Sequence, residues 1–131
     1  ARREWSYHIA HNPVVGVRRP TENRARNRRL SETEALTLLN SCRSSENTWL
    51  LPLVILAIET GMRRGELLGL RWDHINLDRR TCHLPITKNG NSRDIPLSNC
   101  AVETLIKLPH NLSGIVLPLS QVALRGLWGR V

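Results

Sequence analysis

The chain has 131 residues, enough for one domain with a core of its own and too few for two independent cores. Its net charge is +8, from 19 Lys and Arg against 11 Asp and Glu, and seventeen of the cations are arginine, whose guanidinium fork matches phosphate oxygens; the balance favours a phosphate-bearing partner over a cationic one. No apolar run reaches the length of a membrane span, and the Arg-rich start lacks the apolar stretch of a signal peptide, so a cytoplasmic location without membrane partners is expected.

The first 30 residues hold eight Arg and two Glu, six of the eight surplus charges. A short helix is expected from Arg2 to His11, broken at Asn12-Pro13. The following "VRRPTENRARNRR" reads as a basic linker whose Arg18, Arg19, Arg24, Arg26, Arg28 and Arg29 are candidate contacts to a nucleic-acid backbone. The plainer reading is a solvated arm with no dedicated partner. At Ser31 the pattern changes. Ser31 and Glu34 form a capping box, and Ala35, Leu38, Leu39 and Cys42 recur at helical spacing, so the boundary of a compact domain is set near Leu30.

"TWLLPLVILAIETG" is apolar nearly all round from Trp49 to Ile58 and predicts a buried central helix, with Pro52 in its first turn and Gly61 near its end. "MRRGELLGLRW" predicts a further short helix with Leu67, Leu68 and Leu70 inward. "HINL", "RRTCHLPI" and "SRDIPL" read as short strands, and Asn89-Gly90 predicts a tight hairpin turn between the last two. "SNCAVETLIKLP" predicts a helix closed by Pro109. "SQVALRGLWGRV" begins with Ser120 as N-cap and places Leu124, Leu127, Trp128 and Val131 on one face. The pattern has no stop signal, which suggests a fragment. The fold class expected is mainly α with a small antiparallel β-sheet, α+β. Cys42, Cys82 and Cys100 lie in apolar patterns without a CxxC pair, so they are expected to be reduced core thiols, with neither disulfide nor zinc. The four tryptophans are expected in packing roles. His74 and His83 are expected to be hydrogen-bonded structural residues.

Three features carry chemistry. Arg63 and Glu66 are spaced so that the carboxylate can orient the guanidinium, Lys88 sits at the hairpin turn, and a basic segment leads in. On spacing alone, Arg63 with Glu66 describes a helix-surface ion pair, and Lys88 describes an exposed lysine that discourages edge pairing. The combination says more. "TGMRRGELLGLRWDHINLDRRTCHLPITKNGNSRDIPLS", Thr60 to Ser98, resembles the first motif block and following hairpin of the tyrosine recombinase (phage integrase) family, from Thr-Gly through "LGLRW" to "RDIPL". The flanking segments are similar to that family's entry into the catalytic domain and its approach to a second motif block.

The resemblance implies a truncated catalytic-domain fold over residues 31–131, preceded by the end of a core-binding region and linker over 1–30. It also implies site-specific recombination of double-stranded DNA without metal or cofactor, with self-association on DNA in the full-length protein. Arg63 then corresponds to the first catalytic arginine, Glu66 to its acidic partner and Lys88 to the hairpin lysine. Arg64 falls at a variable position and is expected on the DNA backbone, while Arg71 is expected to be structural. In that family a tyrosine attacks the phosphodiester, arginines stabilise the transition state and the lysine protonates the departing 5′-oxygen. No His-x-x-Arg is present, and the sole tyrosine, Tyr7, precedes the catalytic part, so the chain by itself is expected to be inactive. Two other readings stand beside this one: a non-enzymatic DNA-binding remnant or regulator, and a helical module that binds a partner through Leu124, Leu127 and Trp128.

Overall fold

The computed structural model describes residues 16–18, 28–85 and 91–129. The expected helix Arg2–His11, most of the basic linker, Trp5, Tyr7 and the hairpin turn with Lys88 lie outside them. Helix α1, Glu32–Arg43, starts as the sequence predicts: the Ser31 hydroxyl accepts the Glu34 amide at 3.2 Å, and the Glu34 carboxylate accepts the Ser31 amide at 3.0 Å. Helix α2, Leu50–Thr60, is the centre of the molecule, with α1, α4 and α3 packed around it. Pro52 is tolerated because the first-turn amides of a helix have no intrahelical acceptor.

Gly61 ends α2 in the left-handed region, at φ +61, with its amide donating to the Ala57 carbonyl at 3.1 Å. Met62 then drops into the core and α3, Arg64–Leu68, begins two residues later. After a 3₁₀ turn at Trp72–His74 come β1 (Ile75–Asn76), β2 (Thr81–Leu84) and β3 (Arg93–Pro96), paired antiparallel in the order β1-β2-β3. The register sets Cys82 opposite Ile95, both buried, and His83 opposite Asp94, both exposed, as the alternation in the sequence requires. Helix α4, Asn99–Ile106, is capped by Ser98, whose hydroxyl accepts the Ala101 amide at 3.1 Å and donates to Glu59 at 2.5 Å, fastening α4 to the end of α2. Helix α5, Gln121–Trp128, is capped by Ser120. Among the described residues, five α-helices and one three-stranded antiparallel sheet make the α+β fold that the sequence predicts.

Leu50, Leu56, Leu67, Leu70, Leu105 and Val116 are among the fully buried residues, drawn from α2, α3, α4, the connection after α3 and the segment before α5. "GIVLPL" is held edge-on to the α3–β1 connection. Arg71 bridges Ile115, the Trp72 amide donates to the Gly114 carbonyl at 3.0 Å, and the Trp72 and His110 rings stack at 3.8 Å. The Arg71 guanidinium lies where a side chain at Gly114 would reach, 2.9 Å from an ideal Cβ, and it donates to Asp73, so Arg71 is structural in this fold. The expectation of a core thiol fails at one cysteine. Cys100 is exposed at the start of α4, because the inward stripe of that helix is Ala101 and Leu105, which leaves its neighbour on the outer side. No helix among the described residues is long and apolar enough to cross a membrane.

Replacing Leu105, which is completely buried, with Ala is expected to cost about 2–5 kcal/mol in chemical denaturation. Gly61→Ala should cost about 1 kcal/mol, because it forces an L side chain into a left-handed turn with open space around it.

Candidate functional site

The left-handed turn at Gly61 and the inward Met62 leave Arg63 next in line, in extended backbone at φ −67 and ψ 150, as the N-cap of α3. Arg63 therefore precedes the helix on which the sequence reading placed it. Glu66, at the third helical position, reaches back. Its Oε2 accepts the Arg63 amide at 2.7 Å and its Oε1 accepts the Arg63 guanidinium at 3.2 Å. Glu66 thus holds both ends of the same residue.

A second arginine shares the carboxylate. Arg93, the first residue of β3, donates to Glu66 Oε2 at 2.8 Å across 27 positions of sequence. The Glu66 side chain is 9% exposed, whereas those of Arg63 and Arg93 are 50% and 38% exposed. One nearly buried anion therefore carries two half-exposed cations, a local surplus of one positive charge. Each guanidinium has five N–H donors and, among the described residues, gives one to Glu66, so the others can serve a ligand. Such a pair can clamp an oxyanion, and bidentate approach to phosphate is the geometry that guanidinium favours.

Burial pushes the Glu66 carboxyl up, but hydrogen bonds from the Arg63 amide and guanidinium, with the charges of Arg93 and Arg63, outweigh it and leave the group below 4.5. Glu66 is consequently charged at neutral pH and keeps both arginines in place.

Of the other expected site residues, Arg18, Arg28, Arg29 and Arg64 lie within the described residues. Lys88 belongs to the connection 85–92 between β2 and β3 and lies outside the described residues, as do Arg19, Arg24 and Arg26. Arg18 and Arg29 are exposed. Arg28 is exposed and ion-paired with Glu34, so part of its charge is answered within the chain. Arg64 lines a cavity of about 460 Å³ between α1, α2 and α5, alongside Leu53, Val54, Arg125 and Trp128. His83 pairs with Asp94 across the strands, Nδ1 to Oδ1 at 2.6 Å, as a hydrogen-bonded structural residue. Among the described residues, no three His, Cys, Asp or Glu side chains gather where a metal ion could be held. Sequence reasoning did not find Arg93. Its one signal was the place of "RDIPL" directly after the hairpin, since the contact with Glu66 exists only once β3 is laid beside β2.

A family model described as the phage integrase family matches residues 28–114. The chain is 43% identical over 128 residues to the shufflon-specific DNA recombinase of Escherichia coli, which covers 98% of this chain and 33% of that protein. It is 28% identical over 109 residues to the integrase of Salmonella phage P22, covering 82% of this chain and 26% of the integrase. The chain thus spans about a third or less of these relatives. A lambda integrase tetramer bound to a Holliday junction superimposes with a TM-score of 0.71 at 26% identity, over 95% of this chain and 40% of that one.

Because the Glu66 carboxyl is lowered by folding, its contribution to stability is complete above about pH 4.5 and is lost as the pH falls through its folded value. Glu66→Gln should therefore lower stability by about 1–2 kcal/mol at pH 7 and flatten the acid limb. The difference between the two proteins, measured by urea denaturation from pH 7 to pH 3, should shrink with acidity.

Proposed function

The chain belongs to the phage integrase family, and from that premise we propose that it is the arginine-bearing portion of a catalytic domain that breaks and rejoins double-stranded DNA in site-specific recombination. The observation that carries this reading is the single carboxylate holding Arg63 by amide and guanidinium while Arg93 grips it from the sheet. An orientation fixed in advance is what charge stabilisation of a transition state requires.

In the proposed chemistry Arg63 binds the non-bridging oxygens of the scissile phosphodiester. A tyrosine oxygen attacks phosphorus, a phosphotyrosyl bond forms, and the bond to the 5′-oxygen breaks. Lys88 gives the departing 5′-oxygen its proton, and Arg63 offsets the negative charge that gathers on the phosphoryl oxygens as the reaction proceeds. Tyr7, ahead of the catalytic portion, is not assigned as the nucleophile, so residues 1–131 by themselves are proposed to bind DNA without cleaving it. Arg18, Arg19, Arg24, Arg26, Arg28, Arg29 and Arg64 are proposed backbone contacts. Residues 1–30 are assigned to the approach from a core-binding region and residues 31–131 to the catalytic part. The solved lambda integrase structures are a tetramer on a Holliday junction and a dimer on a core site, which supports assembly on DNA as the working state here. A cytoplasmic location is proposed along with such a partner.

The 131-residue chain should bind a duplex with log K falling linearly against log salt concentration. In a longer protein carrying this sequence and a nucleophile, Arg63→Ala should reduce covalent protein–DNA adduct by about 10²–10³. Duplex binding with no adduct, and with Arg63→Ala no worse than Arg24→Ala, would instead establish a non-enzymatic DNA-binding protein.

A further inference from the structure

Among the described residues, Arg93 and Glu66 form the ionic link between the segment that carries Arg63 and the strand that leaves the hairpin. Leu84 opposite Arg93 is the last paired position of β2 and β3, so Arg93 stands at the neck of the connection 85–92. Glu66 sits on a helix of five residues, too short to be stiff by its own hydrogen bonds. A carboxylate on so short a helix needs a second anchor to hold a guanidinium in one orientation. The Arg93 bond at 2.8 Å, shorter than the Arg63 guanidinium bond at 3.2 Å, is that anchor. It also presents the sheet and the arginine segment to each other at a fixed distance.

We propose that Arg93 is a positioning residue: it holds the Glu66 carboxylate from the sheet side and thereby sets the direction in which Arg63 offers its N–H groups to a DNA phosphate. This rests on the reading of Arg63 as a phosphate clamp. Positioning differs from direct contact in an observable way. If Arg93 acts through Arg63, removing it costs nothing further once Arg63 is gone. If Arg93 touches a phosphate itself, the two losses add, and each lowers the salt slope by about one.

The test uses the 131-residue chain and a 20-base-pair duplex, with ¹⁵N spectra of the arginine side chains as a readout that needs no DNA. In Arg93→Ala the Arg63 Nε–H signal should shift and broaden, and in Arg93→Lys it should stay close to its original position. Arg93→Ala should weaken duplex binding as much as Arg63→Ala, about three- to tenfold, and the double variant should be no weaker than Arg63→Ala. An Arg63 signal unmoved in Arg93→Ala overturns the proposal, as does a fall in melting temperature with both signal and affinity kept. Additive losses overturn it in favour of direct contact. If Arg63→Ala leaves affinity unchanged, the phosphate reading falls, and the Arg63 signal alone still decides whether Arg93 orients it.

Discussion

The Glu66 carboxylate is the point on which the arrangement depends. It is a nearly buried anion, and an anion removed from water persists only if donors replace the water. Three donors do so here: one backbone amide and two guanidiniums. The requirement runs both ways, because satisfying the carboxylate also fixes the arginines. A stability need of the fold and the positional need of the proposed phosphate clamp are met by the same set of hydrogen bonds. The nearby core serves this set. Leu67 and Leu70 anchor the segment, and Ile95 and Leu97 anchor the strand that begins with Arg93.

What could be read from sequence divides according to range. The capping box at Ser31, the N-cap at Ser120, and the alternation of Cys82 and Leu84 with His83 are local codes, and each stands where its residues put it. The Arg63–Glu66 pair was legible for the same reason, although the helix begins at Arg64, two residues later than the run from Met62 implies. Arg93 was not legible. Nothing in "RDIPL" records that its first side chain turns toward residue 66, since that contact depends on strand pairing and on the packing of a short helix. Cys100 failed for a related reason: hydropathy classed it with its apolar neighbours, while the helical phase places Ala101 and Leu105 inward and leaves Cys100 exposed.

The charge of the molecule is organised at two scales. The bulk of the surplus lies in the first 30 residues, where a dense row of arginines can raise the local concentration of a polyanion without demanding a particular geometry. Around Glu66 the surplus is a single charge, and there geometry matters more than quantity. Arg71 shows that arginine content alone does not mark function, since its guanidinium donates to Asp73 and lies over the turn at Gly114. The question of what a given arginine does is answered by its acceptor.

The spacing between Gly61 and Arg63 works as a ruler with one mark. The glycine turns the chain, one methionine is swallowed by the core at 6% exposure, and the next side chain emerges as the arginine. There is no slack to absorb an inserted or deleted residue. Losing one position would offer a guanidinium to the space that Met62 fills, and gaining one would bring a different side chain out beside Glu66. Substitutions at the neighbouring Arg64 leave the ruler intact, whereas a change of chain length here does not. A change of chain length is therefore expected to be tolerated only away from this turn, and three consecutive residues bear a constraint on counting that their side-chain chemistry alone does not reveal.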